Sequence, residues 1–336
     1  MPGIPGRGSV GARLSGLDRG ARLVDSPMAD QIDTFKKLKI TILGTGNIGT
    51  DLLMKILRSP YLECTCFAGR NHNSRGMAHA RNHGVKTSDR GIRAILEDPD
   101  GCDLVFDATS ASSHRDHWPQ LEKLGKFVID LTPSRIGEMV VPAVSLGEFG
   151  HYRNVNMVSC GGQASIPLAH LISLTHGGVN YIEVVSSIAS KSAGPATREN
   201  IDEYIETTEA GIRKYSGAKS AKAILILNPA EPSIDMQTTI SAKVDQPNLE
   251  GLRRAFDDMV RKIQSYVPGY RVLVPPIFET NRIVIMVKVV GRGDYLPTYA
   301  GNLDIINCAG IATAEAYAKK YAGSAEIFKL RAECAG

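Results

Sequence analysis

Apolar positions along this chain switch between two spacings. Lys37–Leu43 (KLKITIL) is a short, β-branched apolar run that predicts a strand. It passes directly into GTGNIGTDLLMKILRSP, where Ile48, Leu52, Leu53, Ile56 and Leu57 recur at helical spacing and Pro60 stops the helix. LECTCFAG predicts a second strand, and SRGMAHARNHG and RGIRAILEDPDG predict short helices ended by Gly or Pro. CDLVFDATS reads as a strand, HRDHWPQLEKLG as a helix, and KFVIDLTP and NVNMVS as strands. Strands alternating with helices predict a parallel sheet with right-handed crossovers.

After Cys160 the pattern changes. GQASIPLAHLISLTHGG predicts a helix, YIEVVSSIAS a long strand and TRENIDEYIETTEAGIRKYSG a long amphipathic helix. AKAILIL, DMQTTISAKV and RIVIMVKVVG predict strands, and LEGLRRAFDDMVRKIQSYV and GNLDIINCAGIATAEAYAKKYAG helices. The fold class expected is α/β: a Rossmann-type doubly wound parallel sheet followed by a second, α+β substrate domain. The boundaries expected are a disordered tail at 1–34, a dinucleotide-binding domain at 35–158, the second domain at 159–300, a helix at 301–322 returning to the first domain, and a tail at 323–336. The chain carries no internal repeat.

Composition narrows the function classes. With 336 residues, 43% of them hydrophobic and 22% charged, the chain can build two cores of ordinary globular composition. The net charge is +4, and the first 27 residues supply half of it through four arginines against two aspartates. No basic run interleaved with aromatics appears, which argues against a nucleic-acid partner. No apolar stretch reaches the ~18 residues of a membrane span. Cys64, Cys66, Cys102, Cys160, Cys308 and Cys334 follow neither zinc-site nor disulfide spacing, so no metal is expected, and a reducing, cytoplasmic setting is. The Arg- and Ser-containing opening faintly resembles an organelle transit segment; the plainer reading is an upstream start codon, with Met28 the working beginning.

Gly44, Gly46 and Gly49 form G-x-G-x-x-G between the first strand and the first helix. The first glycine permits a tight turn, the second lets backbone approach a pyrophosphate, and the third lets helix pack on strand. The helix N-terminus then offers amides to the phosphates. The acidic residue expected about 20 positions later, for the ribose of NAD, is replaced by Gly69, Arg70 and Asn71. Arg70, with Arg75 beside it, suits the 2′-phosphate of NADP, so NAD and NADP both stay open.

Cys160 stands where a strand ends and a helix begins, a place that favours a thiolate. Gly161 and Gly162 are expected to leave room beside the sulfur and to offer amides to an oxyanion. A nicotinamide site plus a cysteine nucleophile implies aldehyde oxidation through a thioester. All eight histidines lie at or before His176, so the second domain carries none beyond that point to act as a base. His114 and His117 are expected to be solvated helix residues. This disfavours a phosphate acceptor, although a phosphorylating semialdehyde dehydrogenase and a non-catalytic nicotinamide-binding protein stay as alternatives.

GTGNIGTDLLMKIL, FDATSASSH, IDLTP, NVNMVSCGGQASIP, SKSAGPATRENIDE, NPAEP, YVPGYR and YLPTYAGNLDI together resemble the CoA-acylating acetaldehyde dehydrogenases, partners of 4-hydroxy-2-oxovalerate aldolase in aromatic meta-cleavage pathways. The resemblance runs from about Lys37 to Tyr321. It implies coenzyme A as cosubstrate, acetaldehyde or propanal as the aldehyde, a homodimer formed through the second domain, and an aldolase partner. By resemblance Cys160 carries the acyl group, and Thr45, Gly46, Asn47 and Ile48 meet the pyrophosphate. Likewise Ser192, Ala193, Gly194, Pro195, Ala196, Thr197, Arg198, Glu199, Asn200 and Asn302 bind the nicotinamide end. The chain departs from the family pattern in three places: the Arg70–Asn71 pair, the run Met236–Gln237–Thr238 where an Arg-Asp pair is usual, and a shorter segment between YVPGYR and YLPTYAG. Asp235 is out of register with the missing aspartate and is not expected to be catalytic.

Overall fold

The computed structural model describes residues 36–147 and 151–321. The expected tails, the start at Met28 and Cys334 lie outside those residues. The first half alternates β1 (Leu38–Leu43), α1 (Asn47–Arg58), β2 (Leu62–Ala68), α2 (Arg75–Asn82), β3 (Thr87–Ser88), α3 (Arg93–Leu96), β4 (Leu104–Asp107), α4 (Ala111–Lys123), β5 (Phe127–Asp130), β6 (Glu138–Met139), α5 (Pro142–Ser145) and β7 (Asn154–Asn156). The strands form one sheet in the order β3-β2-β1-β4-β5-β7-β6, with every pairing parallel. The chain winds outward from β1 to β3, returns to β4 and winds the other way. The winding therefore reverses between β1 and β4, the place where α/β sheets open a crevice for ligands.

Burial explains why these strands read as unbroken apolar runs. Every residue of β4 and β5 is buried, because helices cover both faces. Leu52, Leu53 and Ile56 of α1 pack with Ile40, Ile42 and Phe106 on one side. Ile95 and Leu121 pack with Leu43, Val105 and Val128 on the other.

The second half contains α6 (Cys160–His176), β8 (Tyr181–Ala189), α7 (Pro195–Glu199), α8 (Ile201–Ser216), β9 (Ser220–Asn228), β10 (Met236–Lys243), α9 (Leu249–Gln264), β11 (Tyr270–Glu279), β12 (Arg282–Val289) and α10 (Gly301–Tyr321). Its sheet runs β11-β12-β10-β8-β9 and is antiparallel except for β8 with β9. Residues of α6, α8 and α9, among them Ile166, Ile212 and Phe256, bury one face of it against Ile182, Ile240 and Ile285. Strand β11 is absent from the sequence reading because Pro275 and Pro276 interrupt its run. At the sheet edge a proline loses no ladder bond, and the register breaks between Val272 and Val274 and again before Ile277.

Helix α10 returns to the first sheet. Ile306, Ala309, Ala314 and Ala318 enter its core, and Tyr317 stacks on Phe127 with ring centroids 4.0 Å apart. Among the described residues no helix is long and apolar enough to cross a membrane.

Candidate active site

A cleft opens at the carboxyl ends of the parallel strands, where the winding reverses. Ile48 from the first turn of α1, Ala108 to Ser110 after β4, Leu131 to Pro133 after β5, and Val158 to Cys160 after β7 line one side. Thr197, Asn200, Tyr204, Asn302, Leu303 and Ile306 close the other. No charged residue and no histidine is among them. Its empty space, about 650 Å³ counted to the open mouth, is of the size of a small-molecule site.

The glycine turn divides its work. Gly44 has φ +104°, and a Cβ there would sit 2.4 Å from the Ala108 carbonyl oxygen. A Cβ on Gly49 would come within 1.8 Å of the Gly44 carbonyl oxygen, so α1 packs on β1 only through glycine. A Cβ on Gly46 would meet nothing within 4 Å. Gly46 also caps α1 without any side-chain hydrogen bond, and no acidic residue stands in that first turn. Two glycines are thus filled by protein, and the middle one faces space beside uncapped amides, as a pyrophosphate would require.

Cys160 is the first residue of α6. Ser159 caps that helix, its hydroxyl accepting from the Gly162 amide at 2.9 Å. The turn is tight: Val158, a β-branched residue, has φ +61° and is held by its amide donating to Asn156 Oδ1 at 2.9 Å. The Tyr204 hydroxyl lies 3.9 Å from Cys160 Sγ and also meets Ser186, which pairs with Thr238 at 3.0 Å.

Two expectations about this turn are corrected. The glycines after the cysteine do not leave room for a substrate. A Cβ on Gly161 would lie 2.1 Å from Tyr204 Oη, and one on Gly162 would lie 2.7 Å from Val158 Cγ1. The Gly162 amide is spent on the Ser159 cap, leaving the amides of Cys160 and Gly161 to face the sulfur. Nor is the thiol's pKa depressed: burial pushes it up to about 11, against the hydrogen bonds from Tyr204 and those two amides. Burial also pushes Cys64 and Cys308 up to about 12 and raises Cys66 and Cys102. What separates Cys160 from them is its place in the cleft.

The remaining candidates scatter around the cleft. Thr197, Asn200 and Asn302 line it. Ser192 is buried with its hydroxyl on the Ala189 carbonyl, and Ala193 is buried beside it. Gly194 caps α7, which carries Pro195, Ala196 and Glu199. Arg198 turns away to the carbonyls of Ala193 and Ser190. Thr45 and Asn47 belong to the glycine turn but not to the cleft lining. Asn302 is 2% exposed and lies in the first turn of α10 rather than capping it. Its Oδ1 and the Thr132 hydroxyl are buried without partners, and both line the cleft. Unsatisfied groups there suit a ligand amide such as the carboxamide of nicotinamide.

His114 and His117 are not solvated. Both rings hydrogen-bond Asp107 at the end of β4, at 3.0 and 2.8 Å, and His114 is fully buried 3.6 Å from Asp130. Burial alone would lower His114, but Asp107 and Asp130 raise it. Burial alone would raise Asp107, but both histidines hold it well below the usual carboxylate range. Asp107 also accepts from the amide and hydroxyl of Thr109, so this cluster braces the loop that lines the cleft. Two histidines three apart after a strand-terminal aspartate were the available signal, since that spacing puts both on one helix face. His170 and His176 bond backbone groups at Tyr215, Ile172 and Asn248. Asp235 pairs with Lys288 at 3.4 Å, outside the cleft lining.

Similarity to known proteins follows the same division. Residues 39–144 match the family described as semialdehyde dehydrogenase, NAD binding domain. Residues 160–297 match prokaryotic acetaldehyde dehydrogenase, dimerisation. In solved structures the fold resembles aspartate semialdehyde dehydrogenase with NADP from Candida albicans (TM-score 0.59, 14% identity, 85% of this chain and 99% of that one). It also resembles aspartate semialdehyde dehydrogenase II from Vibrio cholerae (TM-score 0.57, 14% identity, 85% and 100%). Acetaldehyde dehydrogenase of Pectobacterium atrosepticum is 58% identical over 83% of this chain and 95% of its own. That of Spirochaeta aurantia is 58% identical over 84% and 96%, and that of Carboxydothermus hydrogenoformans 49% identical over 88% and 98%. The chain belongs to the acetaldehyde dehydrogenase family, an aldehyde-oxidising group with a nicotinamide-binding first domain.

Proposed function

We propose that this chain oxidises a short, uncharged aldehyde, acetaldehyde or propanal, to its acyl-CoA through a thioester on Cys160. The observation that carries the reading is that Cys160, at the start of α6, lines a cleft whose described lining has neither a cation nor an imidazole. A semialdehyde carboxylate or an acceptor phosphate would need a cationic partner there. A neutral aldehyde and a thiol acceptor do not.

Thr132, Asn302, Thr197 and Asn200 would border the nicotinamide end of a bound cofactor, and the glycine turn would take its pyrophosphate. The bound cofactor supplies the hydride acceptor. The Cys160 thiol gives its proton to water at the open mouth of the cleft, and the resulting thiolate adds to the aldehyde carbon, giving a thiohemiacetal whose oxyanion faces the amides of Cys160 and Gly161. Loss of hydride leaves the thioester, and the CoA thiolate then displaces Cys160 to give acyl-CoA.

The test is nicotinamide reduction by purified protein with acetaldehyde or propanal, with and without CoA, and with phosphate in its place. Turnover should require CoA, and Cys160→Ala should lose roughly three orders of magnitude or more while folding normally. Turnover on phosphate would move the reading to a phosphorylating enzyme; cofactor binding without turnover would move it to a non-catalytic protein. A homodimer through the second sheet belongs to the same proposal, supported by the exposed apolar side chains of Ile224 and Ile226 on its open face. The aldolase partner and the place in aromatic catabolism rest on the resemblance, and co-purification with a 4-hydroxy-2-oxovalerate aldolase tests them.

A further inference from the structure

The segment after β2 is built for a negative charge. From Cys64 to Ser88 the chain has no Asp or Glu, but has Arg70, Arg75, Arg81 and Lys86. In this fold the end of the second strand meets the adenosine ribose, and a carboxylate there holds the 2′-hydroxyl of NAD. None stands at Gly69, Arg70 or Asn71.

The packing places this segment beside the glycine turn. A Cβ on Gly69 would lie 2.6 Å from the Thr45 side chain, and one on Gly76 would lie 2.3 Å from the Thr45 carbonyl oxygen. The hydroxyls of Thr45 and Ser74 meet at 3.3 Å. Arg70 and Arg75 therefore leave the chain beside the glycine turn, and both are exposed. Two neighbouring arginines are engaged: Arg81 donates to the His72 carbonyl and Arg90 pairs with Glu97. Arg70 and Arg75 hold no carboxylate among the described residues. Two unpaired guanidiniums and the Ser74 hydroxyl form a donor set suited to a phosphate monoester.

We propose that Arg70, Ser74 and Arg75 form a 2′-phosphate subsite and that this chain prefers NADP(H) to NAD(H). The proposal rests on the reading of the glycine turn as a dinucleotide site, and the experiment separates the two. The purified full chain is titrated with NADPH and NADH, followed by nucleotide fluorescence, at low and high salt. NADPH should bind at least about tenfold tighter, with the gap narrowing as salt screens the phosphate. Arg70→Ala and Arg75→Ala should each weaken NADPH several-fold and leave NADH nearly unchanged; Asn71→Asp should shift preference toward NADH. NADH binding as tightly as NADPH, or arginine variants that weaken both equally, would overturn the subsite while leaving the dinucleotide reading intact. Failure of both nucleotides to bind would overturn both.

Discussion

At the residue scale, Tyr204 was hidden in the sequence by its distance along the chain. Cys160 announces itself because a thiol, two glycines and a helix start are adjacent in the chain. Tyr204 reaches the sulfur from α8, 44 residues away, and only the fold brings its hydroxyl there. Sequence spacing reports neighbours along an element, not across a cleft. The same distance hid the cost of burial, which leaves the resting thiol protonated at neutral pH. Tyr204 pulls against that cost, so Tyr204→Phe, which keeps the ring, should raise the thiol's pKa further. The check is the pH profile of iodoacetamide alkylation at Cys160 in the cofactor-free protein. The variant should react several-fold more slowly at pH 8, with its midpoint displaced upward. An unchanged profile would show that the hydroxyl does not reach the sulfur in solution.

At the element scale, the glycine turn was legible because each glycine answers a backbone demand, and the structure separates those demands. Gly46→Ala should fold as well as the wild type but bind nicotinamide nucleotides at least tenfold more weakly, because its methyl group enters the open space. Gly49→Ala should instead lower the urea midpoint, since the Gly44 carbonyl already occupies that space. What the sequence hid is the clasp between α1 and α10. Lys55 Nζ lies 2.7 Å from Asp51, 2.7 Å from Asp304 and 3.1 Å from Asp294, with Arg58 also on Asp294. Burial alone would lower the ammonium, but Asp304 and Asp51 hold it up, so the amine serves as the cation for three clustered carboxylates. Lys55→Met leaves two buried carboxylates uncompensated and should cost about 3–5 kcal/mol, read from urea unfolding. The His114 cluster gives a pH signature. His114 is raised above 6.5, so its contribution is full below that value and fades as pH rises through the raised one; Asp107, depressed below 3.8, contributes above 3.8 and fades in acid. The urea midpoint of the wild type should therefore fall as pH climbs above 6.5, and His114→Gln should flatten that fall.

At the scale of the whole molecule, the order of strands and helices was enough to expect a parallel sheet followed by an α+β unit, and the structure shows the first sheet buried on both faces and the second on one. The parallel strands read as continuous apolar runs because helices flank them, whereas β8 and β12 alternate buried and half-buried positions. That alternation has a consequence for assembly. Ile224 and Ile226 of β9 stand opposite Val185 and Ser187, and Val185 in turn opposite Thr239, in a row on the face that α6, α8 and α9 leave uncovered. A second copy applying the same face by a two-fold axis would bury this row symmetrically. Ile226, 45% exposed, contributes little to the fold of one subunit, so Ile226→Asp should leave each subunit folded. Facing its own copy, or a partner's apolar row, the new carboxylate would lose hydration without gaining a counter-charge. Analytical ultracentrifugation at micromolar protein should find a wild-type dimer and a variant monomer with unchanged circular dichroism. A variant that stays dimeric would move the interface off this sheet, and a monomeric wild type would remove the homodimer altogether.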